Sequence, residues 1–239
     1  MKLSKLTKLL GSLYYLRYLV QGVAGAVEHE AVLRSKDYRT IIDIGANRGQ
    51  FSLAARRCCR YADIYAFEPL PGPGKVFRRV FANDPKTVLF EAAIGAVART
   101  AHIHISRRDD SSSLLPISDK QAEIFPGTEE LELAEVEVSR IETFIGPDKM
   151  VAPALVKIDV QGAEAEVLAG CEAILSRCDS AYVECSFIEL YEGQQLASDI
   201  VAGLHARGFD LAGVYNTFYD SAGQAVQADF LFERQNNNA

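Results

Sequence analysis

Asp43-Ile44-Gly45-Ala46-Asn47-Arg48-Gly49 is the stretch of this chain best suited to holding a small charged ligand. It follows a short β-branched run, Thr40 to Ile44, and leads into a helical pattern that begins at Gln50. Gly45 lets the chain turn tightly, and Gly49 lets a helix approach ligand and sheet. The spacing is G-x-N-x-G, not the G-x-G-x-x-G of dinucleotide sites. A pyrophosphate needs open backbone N–H groups at such a turn. Asn47 narrows that access and Asp43 would repel a diphosphate. An ammonium or sulfonium ligand fits better, and a glycine turn with no ligand is the plain alternative.

Three further acids stand where the ends of strands are expected. Glu68 closes the run Asp63 to Glu68 and is placed to accept both hydroxyls of a ribose, although Glu-Pro at a strand end can be a simple turn. Asp159 and Glu184 end two later runs, and the same number of residues separates them as separates Asp43 from Glu68. This echo is what two mononucleotide-binding halves would show, with the four carboxylates edging one crevice at the carboxyl ends of the strands.

Asp159 is the first candidate for a general base, and Glu184 is the second. Lys157 shares a strand face with Asp159, because side chains alternate with period two. It could steer a substrate, or form a buried ion-paired network with Glu164 or Glu184. Asp159 with Glu184 could also bind Mg²⁺, but two oxygen donors are a thin ligand set and no metal is expected. His102 and His104 have no matching Cys or carboxylate spacing and read as an ordinary polar strand face. Ser111 to Ser113 could bind a sugar or a carboxylate, but a plain turn is the favoured reading.

These residues need a scaffold that presents strand ends side by side. From Thr40 onward, strand and helix patterns alternate. Strands are expected at 40–44, 63–68, 87–94, 154–160 and 180–185, with helices at 50–61, 75–81, 164–175 and 194–207. Such alternation predicts a parallel sheet with helices on both faces. Phe209 to Tyr215 and Ala225 to Glu233 read as a final antiparallel pair. Residues 101–150 are too long for a plain crossover and are expected to decorate the crevice. A single domain at 37–235 would then follow an N-terminal helical extension at 1–36.

The chain has 239 residues, 49% hydrophobic and 24% charged, which excludes bulk disorder. Its formal charge is −7, so no broad basic surface awaits nucleic acid. The five cysteines form no C-x-x-C pair and suit a reducing, cytoplasmic setting. Lys2, Lys5 and Lys8 precede an apolar stretch and imitate a signal peptide, but Arg17 and Gln21 interrupt it. Leu6, Leu9, Leu10, Leu13, Leu16 and Val20 recur at helical spacing. The expectation is one amphipathic helix packed on the domain, with peripheral membrane contact through residues 2–20 as the alternative.

Asp43-Ile-Gly-Ala-Asn-Arg-Gly49, Phe67-Glu-Pro69, Ala92-Ala-Ile-Gly95, Leu155-Val-Lys-Ile-Asp-Val-Gln-Gly-Ala-Glu164 and Tyr182-Val-Glu-Cys185 together resemble the FkbM family of S-adenosylmethionine-dependent methyltransferases. The resemblance spans about Thr40 to Phe232. It implies a Rossmann-like class I methyltransferase fold, α/β, with a mostly parallel doubly wound sheet and a C-terminal antiparallel strand. It also implies S-adenosyl-L-methionine as cofactor. Asp43, Gly45, Ala46, Asn47, Gly49 and Phe51 would hold the methionine end, and Glu68 the ribose. Pro69 and Leu70 would border the adenosine, and Ala92, Ala93 and Ile94 would flank the adenine. Asp159 would lie near sulfonium and acceptor. Gln161 and Ile141-Glu142 depart from the family pattern, and the first could alter acceptor choice.

The expected function is therefore O-methylation of a hydroxyl on a small-molecule or glycan acceptor: a glycan, glycolipid or polyketide-like metabolite. The rivals are an NAD(P)-dependent oxidoreductase on the same scaffold and a methyltransferase-like domain that only binds.

Overall fold

The computed structural model describes residues 3–235. Lys2 of the basic run and residues 236–239 of the polar tail lie outside the described residues. The helices are α1 (Leu3–Leu10), α2 (Leu13–Leu19), α3 (Glu30–Leu33), α4 (Gln50–Cys58), α5 (Pro71–Val80), α6 (Asp119–Ile124), α7 (Glu164–Gly170), α8 (Glu172–Leu175) and α9 (Ala197–His205). The strands are β1 (Thr40–Ile44), β2 (Asp63–Phe67), β3 (Thr87–Phe90), β4 (Ala93–Ile94), β5 (Arg99–Ser106), β6 (Glu130–Ser139), β7 (Ala154–Ile158), β8 (Ser180–Ser186), β9 (Phe209–Tyr219) and β10 (Ala225–Arg234).

Seven strands form one sheet in the order β3-β2-β1-β7-β8-β10-β9. The first five of that row run parallel, and β10 runs antiparallel to both of its neighbours. This is a Rossmann-like, doubly wound α/β sheet with a C-terminal antiparallel strand. The chain leaves β1 toward one edge and returns at β7 toward the other, so the order reverses between them. A crevice opens there at the carboxyl ends.

Every residue of β1 and β7 is buried, as expected for central parallel strands covered on both faces. Ile42, Ile44, Val156 and Ile158 pack against Val167, Leu168 and Ile174 on one face. Ile41, Leu155 and Tyr182 pack against Phe51, Val32 and Leu33 on the other. Register sets the polar residues in rows: Asp43 pairs with Lys157, Lys157 with Tyr182, and Glu184 with Asp229.

Four elements differ from the sequence expectation. The strand expected at 87–94 divides, because β3 pairs with β2 while β4 pairs with β6 in a separate sheet of order β4-β6-β5. The helix expected at 164–175 breaks at Cys171 into α7 and α8. The helix expected at 75–81 starts earlier, at Pro71, where a proline costs no helical hydrogen bond. The N-terminal helix is two helices, interrupted at Gly11 and Ser12.

That interruption changes which residues are buried. Leu9 and Tyr15 are buried, whereas Leu10, Leu13 and Val20 are 54%, 87% and 78% exposed, so no single apolar stripe survives. Tyr15 packs with Leu53 and Phe77, and its hydroxyl donates to Glu30 Oε1 at 2.5 Å. Tyr15→Ala should therefore lower stability by about 3–5 kcal/mol, the usual loss for truncating a buried ring. Urea unfolding measures it, and an unchanged midpoint would mean that α1 and α2 do not pack as described. No helix among the described residues is long and apolar enough to cross a membrane.

Candidate active site

A cleft of about 350 Å³ lies at the carboxyl ends of β1, β2, β7 and β8. It brings together Gly45, Ala46, Asn47, Phe51, Glu68, Pro69, Leu70, Ala92, Ala93, Ile94, Lys157, Asp159 and Glu184 from the sequence expectation. Asp43 and Gly49 do not line it. They lie behind it, one under the floor and one at the start of α4.

Asp43 is fully buried. Its Oδ2 accepts a hydrogen bond from Ser52 Oγ at 2.6 Å, and Lys157 Nζ lies 3.3 Å from its Oδ1. The same ammonium donates to the Gly45 carbonyl at 3.0 Å and lies 3.4 Å from Asp159 Oδ2. Burial alone would lower the Lys157 pKa, but Asp159 and Asp43 outweigh it and hold the ammonium above its ordinary value. Lys157 thus belongs to a buried ion network, as one alternative expected, but its partners are Asp43 and Asp159 rather than Glu164 or Glu184. Exposure sorts the two acids: the Asp159 side chain is 33% exposed and the Asp43 side chain 0%. Asp159 is the member of the triad that meets the cleft.

Gly45 has φ +77°, and a Cβ there would overlap the Asp159 carbonyl oxygen. Only glycine lets β1 turn this close to the end of β7. Gly49, at φ +90°, packs a Cβ-free backbone against Phe77 and Phe81. Asn47 adopts the left-handed conformation with φ 46°, which aims its N–H at Glu68 Oε2, 2.8 Å away. The Leu70 N–H donates to Glu68 Oε1, also at 2.8 Å. Each carboxylate oxygen keeps a second lone pair, so Glu68 is fixed and still able to accept from two neighbouring hydroxyls. Burial pushes its pKa up to about 7 despite these two donors. Ala92, Ala93 and Ile94 are buried beside it and offer a flat apolar wall.

Gln161 is the residue that sequence reasoning undervalued. It sits at φ 56°, and its Nε2 donates to Asp159 Oδ1 at 2.7 Å and to Glu184 Oε2 at 2.9 Å. Its Oε1 accepts from the Tyr191 hydroxyl at 2.7 Å, and its carbonyl from Ser113 Oγ at 2.6 Å. An N–H donor therefore stands between the two carboxylates where a Mg²⁺ ion would need to sit. Among the described residues no group of three or more His, Cys, Asp or Glu side chains gathers as a metal site. Gln227 Nε2 donates to the other Glu184 oxygen at 2.8 Å. Burial, then Asp159 and Asp229, raise the Glu184 pKa well above the carboxylate range. Both Glu184 oxygens are engaged, which suits a buttress better than a base.

Glu164 is a structural acid. Its Oε1 accepts from the Val160 and Gly162 N–H groups, each at 3.1 Å, and burial pushes its pKa up to about 7. The serines belong to turns as well as to the cleft wall: Ser112 Oγ accepts from the Ser106 N–H at 3.1 Å, and Ser113 Oγ from the Leu115 N–H at 3.0 Å. His104 pairs with Glu130 at 2.6 Å on the small sheet. His29, Gln227, Asp229 and Tyr191 also gather at or beside the cleft, with no sequence signal that could have selected them. They come from the chain's two ends and from a loop, and only the fold assembles them.

The FkbM methyltransferase domain matches residues 43–211. A 2-O-methyltransferase, NoeI of Sinorhizobium fredii (strain NBRC 101917 / NGR234), is 28% identical over 168 residues, covering 68% of this chain and 69% of that protein. Methyltransferase 1 of Beauveria bassiana (strain ARSEF 2860) is 26% identical over 161 residues, covering 59% of this chain and 65% of that protein. Among solved structures, methyltransferase FkbM from Methylobacillus flagellatus KT superposes with a TM-score of 0.53 at 13% identity, over 84% of this chain. The chain spans 45% of that protein's length, and the likeness is one of fold. The domain match covers more than half of the sequence and contains the end of β1, the glycine turn, Glu68, Lys157, Asp159 and Glu184, so this chain belongs to the FkbM methyltransferase family.

Proposed function

We propose that this chain is an S-adenosyl-L-methionine-dependent O-methyltransferase acting on a hydroxyl of a glycan, glycolipid or polyketide-like metabolite. The observation that carries the cofactor reading is the fixed Glu68 carboxylate on one side of the Gly45 turn and the Asp43–Lys157–Asp159 triad on the other. Glu68 would take the ribose hydroxyls, with Pro69, Leu70, Ala92, Ala93 and Ile94 around the base. Gly45, Ala46, Asn47 and Phe51 would border the amino-acid portion, with Asp43 and Gly49 supporting the turn from behind. When bound, S-adenosylmethionine supplies a methyl group on a sulfonium, a leaving group that needs no further activation.

The remaining work falls to the chain's own side chains. Asp159 would accept the proton of the acceptor hydroxyl. Lys157 and Gln161 hold its two oxygens in place, and Glu184 anchors Gln161. The hydroxyl as acceptor is supported by the relative named a 2-O-methyltransferase and by a cleft wall of serines, glutamines and acids. Five free thiols support a reducing, cytoplasmic workplace.

Glu68 also gives the proposal a pH signature. Its folded pKa of about 7 stands above the ordinary carboxylate value. The folded protein therefore holds a proton that the unfolded chain has already lost across that interval. The associated stability is present at acid pH and is lost as pH rises toward about 7. Two donating hydroxyls need the charged form, so S-adenosylhomocysteine should bind more tightly as pH climbs through about 7 and then level off. Calorimetric titration across that range measures it. Glu68→Ala should weaken binding by about 1–3 kcal/mol, and an unchanged affinity in that variant would remove Glu68 from the cofactor site.

A further inference from the structure

We propose that the N-terminal segment completes the cofactor site, with Lys5, Glu28 and His29, together with Gln50, holding the amino-acid end of the S-adenosyl ligand. The proposal rests on the cofactor reading above. The first three of these residues precede the part of the chain that matches the family, which begins at residue 43. All four nevertheless line the same cleft as Gly45, Asn47 and Glu68.

Two atoms point to a ligand there. Glu28 Oε2 and Gln50 Oε1 are buried acceptors with no donor. A buried acceptor is normally satisfied, and two such orphans on one side of a cleft mark a place where a donor belongs. An ammonium group carries three N–H donors and a positive charge, which suits one carboxylate and one amide oxygen. The same corner also holds an ammonium and an imidazole. Lys5 Nζ lies 2.6 Å from the other Glu28 oxygen, and His29 Nε2 lies 4.0 Å from it, beyond hydrogen-bond reach. Lys5 and Glu28 thus set opposite charges side by side, which is the pattern that complements an ammonium and a carboxylate on one carbon.

The corner is built rather than incidental. His29 is braced through Nδ1 by the Tyr182 hydroxyl at 3.1 Å and packs edge-on against Phe51. The Ala26 N–H donates to the Gln50 carbonyl at 3.0 Å, which ties the segment to the first turn of α4. Gln50 Nε2 is held by Asn47 Oδ1 at 3.2 Å, which fixes the amide beside the glycine turn. Glu68 and the wall at Ala92–Ile94 lie toward β2, so a ligand whose ribose sits there and crosses Gly45 would end at this corner.

The test compares two probes that share the adenosine and differ only at the far end. S-adenosylhomocysteine carries the amino and carboxylate groups, and 5′-methylthioadenosine lacks both. Calorimetric titration of the full chain should give tighter binding of S-adenosylhomocysteine. Glu28→Gln should cut that affinity by about tenfold to a hundredfold, the loss expected for a hydrogen bond to a charged group, and leave 5′-methylthioadenosine binding unchanged. Lys5→Ala and His29→Gln should weaken S-adenosylhomocysteine in the same selective way, and melting curves of the ligand-free variants check folding. Equal weakening of both probes would show a structural role only and overturn the proposal, as would unchanged binding of both. If the unaltered chain binds neither probe, the cofactor reading itself has failed, and this assignment falls with it.

Discussion

Asp159→Asn should lower methyl-transfer turnover by about 10²–10⁴-fold, the usual contribution of a positioned base, while S-adenosylhomocysteine affinity changes far less. The substitution keeps the shape and removes the charge. Asp159 is the exposed member of the triad, and Lys157 at 3.4 Å and Gln161 at 2.7 Å fix its two oxygens without closing it off from the cleft. Glu184→Gln is the comparison. Its oxygens already accept from Gln161 and Gln227, at 2.9 and 2.8 Å, so its loss should loosen Gln161 and cost less than the loss of Asp159. Initial rates with labelled S-adenosylmethionine and an acceptor that the unaltered chain uses give the first number, and calorimetry on the same variants gives the second. Near-normal turnover in Asp159→Asn would remove it as the base, and a loss in Glu184→Gln alone would move the assignment there.

Lys157→Met should destabilise the fold by about 3–5 kcal/mol, the cost of leaving a buried charge uncompensated. Asp43 has Ser52 and Lys157 as its partners inside a fully buried strand. Because the Lys157 pKa is held above its ordinary value, the ion network stabilises the fold below the unfolded lysine pKa and weakens only as pH rises through the folded one. The whole loss should therefore appear at neutral pH. Adding Asp43→Asn to Lys157→Met should recover part of it, since the buried negative charge is then gone. Urea unfolding of the three chains measures both effects. A single variant as stable as the parent would mean that Asp43 and Lys157 do not depend on each other.

How much of this was legible in the sequence depends on the range of the interaction. The central strands were legible because β1 and β7 are short, mostly apolar runs with an acid one residue from the carboxyl end. Burial on both faces demands such runs. Asp43, Glu68 and Asp159 could be placed as strand-end acids for the same reason. The division of β3 from β4 was not legible, because it is set by Ala93 pairing with Val138 in the inserted strand, far along the chain. The break at Gly11 and Ser12 turned six helically spaced apolar residues into a partly buried pair of helices, because Leu9 and Tyr15 found a pocket and Leu13 did not.

In the site, Gln161 was visible only as a departure from the family pattern. Its bridging role needs the left-handed turn and the approach of β8 and Tyr191. His29 meets Tyr182 across a separation of 153 positions in the chain, and no local pattern encodes that meeting.

The central question is which adenosine-containing ligand the Gly45 crevice accepts. Parallel calorimetric titrations of the full chain with S-adenosylhomocysteine and with NAD⁺ decide it, because the turn at Asn47 and the Asp159 carboxylate facing the cleft should admit the first and reject the diphosphate of the second. Saturable one-site binding of S-adenosylhomocysteine, weakened in Glu68→Ala, and no heat of binding from NAD⁺ are expected. Saturable binding of NAD⁺ with none of S-adenosylhomocysteine would contradict the cofactor reading.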